Sequence, residues 1–281
     1  MLAIRKPLQI SKILALHKRA GKAIGFVPTM GALHEGHLNL IRAARRENDI
    51  VIVSIFVNPL QFGPREDLKI YPRPLKKDLA LCRLEKVDYV FYPGLSDIYP
   101  KNFSTYIEVK GLSETLCGRS RPGHFRGVTT VVAKLLNIIQ PVNLYLGAKD
   151  AQQAAIIKRM ITDLNIPVKL KVVPIVRDSD GLALSSRNAY LKINERRDAL
   201  VLFKALNLSK VLIKNGARDT KRIISRMRSL IRRNESAKID YLEIVDPDNL
   251  RPLDKIIDKA LVLLAVYIGK TRLIDNISIK V

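Results

Sequence analysis

His34-Glu35-Gly36-His37 sets two imidazoles three positions apart with a glycine between them. The stretch follows a short apolar run, Ala23 to Val27, and the turn Pro28-Thr29-Met30-Gly31-Ala32-Leu33. Beyond it Leu38, Leu40, Ile41 and Ala44 recur at helical spacing, so the order is strand, turn, helix. A helix opening at Gly36-His37 presents unpaired backbone N–H groups and the positive end of its dipole. Such a terminus suits a phosphate, and the two imidazoles add side-chain donors while Gly36 leaves room for a bulky ligand. The zinc-protease pattern needs its second histidine four residues after the first. That position is Leu38, so no zinc site is expected here. Two of the four histidines fall in this one stretch, which favours a nucleotide phosphate site over a plain turn with surface histidines.

Further groups of the same chemical kind lie downstream. Gly147-Ala148-Lys149-Asp150 ends an apolar run and opens a helical one, giving a second anion-friendly terminus with a fixed positive charge. Ser185-Ser186-Arg187 offers two hydroxyls and a guanidinium, a set suited to phosphate oxygens. Gln61 and Gln153 can fix a polar substrate by hydrogen bonds; Asn58, Tyr71 and Arg121 are weaker candidates. Asp178 and Asp180 could approach a metal but read as a solvated turn, and no protein-held metal is expected.

These residues need elements to position them. Residues 8–20 read as a short helix, followed by a strand at 23–27 and the helix after His37. Residues 49–57 form a near-continuous apolar run, as expected of a parallel strand buried on both faces. A helix over 74–86, strands at 88–92 and 104–109, a helix over 128–139, a strand at 142–146, a helix over 151–164 and a strand at 168–173 follow. Strands alternating with helices imply βαβ units and a parallel, Rossmann-like sheet with helices on both faces. In such sheets ligands bind beyond the carboxyl ends of the strands, where Pro28–His37, Asn58–Gly63 and Gly147–Gln153 fall. After residue 177 the pattern changes to two helices, 194–214 and 219–234, and three strands, 239–245, 260–268 and 271–277. The expected division is residues 1–176, an α/β domain that carries these ligand loops, and residues 177–281, a smaller α+β C-terminal domain.

At 281 residues and 47% hydrophobic composition the chain can bury a sizeable core. No apolar run approaches the roughly 18–20 residues that span a bilayer, and the N-terminus lacks the pattern of a signal peptide. Cys82 and Cys117 are too few for a disulfide framework, so a reducing cytoplasm is expected. The net charge of +23 raises nucleic-acid binding. Yet Lys and Arg are spread end to end and no Trp exists to stack bases. The densest segment, 218–233, puts Ile223, Ile224, Met227, Leu230 and Ile231 on one helix face and its cations on the other, an ordinary amphipathic helix. A basic RNA-binding protein is therefore the minor alternative.

Taken together, Pro28–His37, Phe56–Phe62, Arg121-Pro122-Gly123-His124-Phe125, Gly147–Asp150 and Leu184–Asn188 resemble, in order and separation, the pantothenate synthetase family. The histidine turn alone marks only the wider nucleotidyltransferase superfamily, so another nucleotidylyltransferase is the main alternative. The resemblance covers essentially the whole chain. It implies an ATP-dependent ligase that joins pantoate and β-alanine through a pantoyl-adenylate, releasing AMP and pyrophosphate. By that match Met30, Gly31, Ala32, Leu33, His34, Glu35, Gly36 and His37 line the ATP site. Gly147, Ala148, Lys149, Asp150, Val176, Leu184, Ser185, Ser186 and Arg187 complete it. Gln61 and Gln153 hold pantoate, with Asn58 beside them, and Mg²⁺ rides on the ATP phosphates. Residues 1–176 then bind nucleotide and pantoate. The resemblance also implies a cytoplasmic homodimer whose C-terminal domain closes over the nucleotide. Leu184 and Ala148 depart from the family's usual residues, at positions that read as backbone or packing contributions.

The residue set agrees with that chemistry. A carboxylate is already ionised at neutral pH, so the first step needs no protein base. It needs positioning and donors for charge building on the phosphates, which His34, His37, Lys149, Ser185, Ser186 and Arg187 supply. If its pKa lies near the working pH, His37 also donates a proton as pyrophosphate departs.

Overall fold

The structure, a computed structural model, describes residues 1–64 and 66–281. In chain order the first part holds β1 (Leu2–Ile4), α1 (Pro7–Arg19), β2 (Ile24–Thr29), α2 (Glu35–Glu47), β3 (Ile50–Ile55), α3 (Leu75–Leu84) and β4 (Tyr89–Phe91). The short helices α4 (Leu95–Ile98) and α5 (Cys117–Ser120) precede α6 (His124–Ile139), β5 (Asn143–Gly147), α7 (Ala151–Asp163) and β6 (Lys169–Val173). Beyond these come α8 (Ile193–Asp198), α9 (Leu200–Lys214), α10 (Thr220–Arg232), β7 (Ala237–Val245), β8 (Lys259–Ile268) and β9 (Thr271–Lys280).

The first six strands form one parallel sheet in the order β1-β4-β3-β2-β5-β6. From β2 the chain builds outward through β3 and β4, then returns to the other side of β2 to place β5 and β6. The order therefore reverses between β2 and β5, and that junction is the topological switch point. Pro28 opens it. Carbonyls of the even residues of β2 face β5, as Ile24 shows by accepting from Val142 N at 2.9 Å. Pro28 stands on that side without an N–H to donate. Pairing with β5 accordingly ends at Phe26, whereas pairing with β3 runs on to Thr29.

The last three strands form an antiparallel sheet, β7-β8-β9. Its two faces meet different partners. Val262, Leu264 and Val266 of β8 pack with Leu202, Leu206, Ile223 and Met227 of α9 and α10. Leu261, Leu263 and Ala265 join the large core that also holds Phe26, Ile52, Phe125 and Leu144 of the parallel-sheet part. An antiparallel sheet covered on both sides loses its polar face, which explains why Ala260 to Ile268 read as one apolar run.

Three expectations change, and one element is new: β1, three residues paired only to β4, carries too little pattern to be read from sequence. The strand expected over 104–109 is absent: Ile107 N donates to Thr130 Oγ1 at 3.0 Å and Ile107 O accepts from Thr129 Oγ1. Threonines of α6 thus satisfy backbone groups that a strand neighbour would otherwise take. The helix expected from 128 begins at His124, after Gly123 in the left-handed region at φ 79°. The long helix expected over 194–214 is broken into α8 and α9, with Ala199 between them.

Candidate active site

Helix α2 begins one residue earlier than Gly36, with His34 as its N-cap. Gly36 N donates to His34 Nδ1 at 3.2 Å and His34 N donates to His37 Nδ1 at 3.3 Å. His37 N and Leu38 N are taken by His34 O. Most of the amides that sequence offered to a phosphate are therefore already used. What remains follows from elementary chemistry: a ring nitrogen that accepts an amide proton is unprotonated, so each neutral imidazole carries its hydrogen on Nε2. The donors of this helix start are two Nε2–H groups, added to the dipole. The rings lie 4.1 Å apart between centroids. Burial, then the neighbouring His34 and Lys149, pushes His37 down to about 3. Burial and Lys149 push His34 down to about 4, against the pull of Asp150. Both rings are neutral at neutral pH, so the unliganded site does not hold an imidazolium ready to protonate a leaving group. Gly36 is required by this packing, since a Cβ there would sit 2.9 Å from the His34 ring.

These groups face a cavity of about 1220 Å³ over the carboxyl ends of the parallel strands. Lys149, in the turn after β5, lines it with no carboxylate partner among the described residues. Ser185 and Ser186 enter from a short helical turn in which Ser185 Oγ accepts from Arg187 N at 3.3 Å, leaving the hydroxyl proton for a ligand. Arg187 grips Asp67, Nε to Oδ2 at 3.0 Å and Nη2 to Oδ1 at 2.9 Å. An incoming phosphate must share or displace that pair. Tyr71, buried and raised by that burial above its ordinary range, lies with its hydroxyl 3.4 Å from Ser186 Oγ.

A second set gathers beyond β3. Gln61 Nε2 meets Met30 Sδ at 3.0 Å, and Asn58 Nδ2 donates to Gln61 Oε1 at 3.1 Å. Asn58 is buried, donates also to Gly127 O, and accepts from Tyr99 OH at 2.8 Å, so its side chain holds the loop and orients Gln61. Arg121 Nη1 donates to His124 Nε2 at 3.1 Å, which leaves the ring hydrogen on Nδ1 to donate to Gln61 O at 2.7 Å. Burial and the adjacent Arg121 push His124 down to about 3. Arg121 also holds Glu66, Nε to Oε1 at 2.7 Å. Gln153, on α7, lines the cavity half-buried and makes no side-chain hydrogen bond among the described residues.

The cavity wall thus brings together Met30, His34, Gly36, His37, Asn58 and Gln61 with Gly147, Lys149, Asp150, Gln153, Val176, Leu184, Ser185, Ser186 and Arg187. Gly31, Ala32, Leu33, Glu35 and Ala148 stand outside it. The amides of Ala32 and Leu33 donate to the buried Asp78 carboxylate at 2.9 and 2.8 Å, which pins the turn from behind. Glu35 is exposed and paired with Arg42. Ala148 contributes its carbonyl to Asn276 at 3.0 Å. Asp67, Glu66, Asp78 and Asn276 escaped sequence reasoning, because isolated acids and amides carry no spacing that distinguishes them from solvated surface. Asp178 and Asp180 form an ion-paired turn with Arg196, and no group of three or more metal-ligating side chains occurs among the described residues.

Comparisons with known proteins agree along the whole chain. A family model described as Pantoate-beta-alanine ligase matches residues 3–278. A pantothenate synthetase from Caldicellulosiruptor saccharolyticus is 51% identical over 281 residues, covering all of both chains. The crystal structure of a pantothenate synthetase from Thermus thermophilus superimposes with a TM-score of 0.94 at 42% identity, over 99% of each chain. A pantoate-beta-alanine ligase from Francisella tularensis, crystallised with beta-gamma ATP and beta-alanine, superimposes with a TM-score of 0.80 at 40% identity, over 99% of this chain and 97% of that one.

Proposed function

This chain belongs to the pantoate–β-alanine ligase family, and from that premise we propose how its cleft condenses pantoate with β-alanine at the expense of ATP. The enzyme is an ATP-dependent, amide-forming ligase that passes through a pantoyl-adenylate and releases AMP and pyrophosphate. One observation carries the residue assignment. His34, His37, Lys149 and Ser185–Arg187, all donors, share a single cavity with Gln61 and Gln153.

In the first step the ionised pantoate carboxylate attacks the α-phosphorus of ATP, with Gln61 and Gln153 holding the acid. Asn58 and the Arg121–His124 pair fix Gln61 from behind, through its side chain and its carbonyl respectively. The Nε2–H groups of His34 and His37, the Lys149 ammonium and the serine hydroxyls donate to phosphate oxygens as negative charge builds there. A neutral imidazole does this as a hydrogen-bond donor without losing its proton. Mg²⁺ carried on the phosphates would supply charge neutralisation. Of the carboxylates bordering the cavity, Glu66, Asp67 and Asp275 are committed to Arg121, Arg187 and Arg177, and Asp150, without an ion pair among the described residues, would be the one free to meet the ion. In the second step the free amine of β-alanine attacks the acyl carbon and displaces AMP.

Residues 1–176 serve nucleotide and pantoate binding, and residues 177–281 bring the Ser185–Arg187 turn over the cleft. A homodimer and a cytoplasmic location accompany this reading; light scattering and cell fractionation test them. Incubation with ATP and pantoate, with and without β-alanine, tests the reaction itself. Pyrophosphate appears in a single turnover without the amine, and AMP only once it is added. Product that retains AMP in the presence of β-alanine would identify a nucleotidylyltransferase instead.

A further inference from the structure

Two neighbouring residues of the C-terminal sheet reach the two loops that hold the nucleotide in the proposed reaction. Asp275 and Asn276 lie side by side on β9, so their side chains point to opposite faces of the sheet. Both are almost completely buried, at 3% and 5% exposure. Asn276 Nδ2 donates one hydrogen to Ala148 O at 3.0 Å and the other to Lys149 O at 2.9 Å. With two carbonyls as acceptors the amide can only present its NH₂, so the side-chain orientation is settled. Asp275 takes Arg177 in a two-pronged pair, Oδ2 to Nη1 at 2.7 Å and Oδ1 to Nη2 at 2.9 Å. Arg177 begins a tight hairpin, bridged Arg177 to Ala183, whose return strand donates Leu184 N to Val176 O at 3.0 Å and runs directly into Ser185. Asp275 Oδ1 also accepts from Asn276 N at 2.8 Å, which couples the two side chains to one stretch of backbone.

We infer that the Asp275–Asn276 pair is the positioning element that registers Lys149 against the Ser185–Arg187 turn, with Asn276 acting through the Lys149 backbone. Both residues border the cavity, but the Asn276 amide hydrogens and the Asp275 carboxylate are spent on protein partners. A lysine on a surface turn has a flexible stem, and its ammonium is placed only as well as its Cα is held. Lys149 has no side-chain ion pair among the described residues, so its ammonium is placed through its backbone, and the two carbonyl contacts from Asn276 tie the turn that bears it to β9. Sequence offered no sign of this, since Asn276 sits in an alternating strand far from every motif.

The inference rests on the ATP-dependent reaction proposed above, and one assay separates the two. Wild-type enzyme is first mixed with ATP and pantoate in a single turnover; absence of pyrophosphate release would defeat the reaction and not this placement. Given that release, Asn276→Ala slows it roughly 10- to 100-fold, the size of effect expected when a reacting donor shifts by about 1 Å. In a Lys149→Ala background the same change has no further effect, because the two act as one unit. Met227→Ala, in the α9–α10 core, lowers the melting temperature but leaves the pyrophosphate rate at 25 °C unchanged. Should Asn276→Ala fail to fold, Asn276→Ser removes the same two donors with a smaller void. A wild-type rate in the folded Asn276 variant overturns the inference. So does an equal loss with and without Lys149, or an equal loss from Met227→Ala.

Discussion

At the scale of single residues the reaction turns on where protons sit. His34 and His37 each accept a backbone amide on Nδ1, and burial keeps both rings neutral, so each points an Nε2–H toward the cleft. Removing one such donor by His37→Ala should slow single-turnover pyrophosphate release about 10²-fold, the magnitude seen when a transition-state donor is lost. An unchanged rate would remove His37 from the mechanism. The depressed values also make a pH prediction. A histidine whose native pKa lies below its unfolded value near 6.5 leaves the unfolded chain holding more protons between the two, so stability rises with pH across that window. For His37 and His124 the window runs from about 3 to 6.5, and for His34 from about 4 to 6.5. Denaturant unfolding should therefore show lower stability at pH 5 than at pH 7 from these three rings, with no further gain above pH 7. Proton NMR should find all three resonances still neutral at pH 5.5. Titration of His34 or His37 near 6.5 would contradict the cap geometry, and titration of His124 there would contradict its burial against Arg121 and Gln61. The residue types of this site were legible because two of four histidines cluster around a glycine; the tautomers were not, since they depend on which amide each ring accepts.

At the scale of elements, the loop that presents Gln61 is held by helix α6 at a glycine. A Cβ on Gly127 would lie 2.3 Å from Leu60 O and 2.7 Å from Gln61 N, and both are backbone atoms that cannot swing away. Gly127→Ala should thus lift the Pro59–Gln61 segment, raising the KM for pantoate about 10-fold while the KM for ATP changes little. The overpacking should also cost about 1–3 kcal/mol of stability, readable as a lower denaturation midpoint. Equal losses for both substrates would mean that the helix, not the loop, had moved. Elements of this kind differ in how far sequence reveals them. The β3 run and the α2 pattern declare themselves, because a strand buried on both faces and a helix buried on one leave different periods. Residues 104–109 have the composition of a strand, but threonines 22 and 23 positions away take its backbone hydrogen bonds, and no local window contains that competition. The C-terminal helices and strands were visible as a separate pattern. That their sheet would bury its second face against the parallel-sheet core was not, because a doubly covered strand is simply apolar.

At the scale of the whole molecule the excess of 49 Lys and Arg over 26 Asp and Glu bears on encounter and not on fold. Many of the cations are already matched locally: Arg45 with Asp88, Arg121 with Glu66, Arg177 with Asp275, Arg187 with Asp67 and Arg272 with Asp240. The remainder cover the surface broadly, as on the outer face of α10, where Arg226, Arg228 and Arg232 are exposed. A diffuse positive field of this kind attracts any polyanion at long range and discriminates none of them at contact. ATP, carrying several negative charges to a cleft whose donors include Lys149 and Arg187, should feel it most. The screening length shrinks from about 30 Å at 0.01 M salt to about 10 Å at 0.1 M. The kcat/KM for ATP should therefore fall several-fold over that range if encounter is steered, while kcat at saturating ATP stays level. A flat kcat/KM would show the charge to be without a role in catalysis. The same titration, followed by the anisotropy of a labelled RNA, addresses the nucleic-acid alternative directly. Loose binding that disappears near physiological salt is what a scattered field produces. Tight binding with a steep dependence on salt would require a focused phosphate-contacting face, to which the even spread of Lys and Arg along the chain, with no Trp to stack a base, does not point.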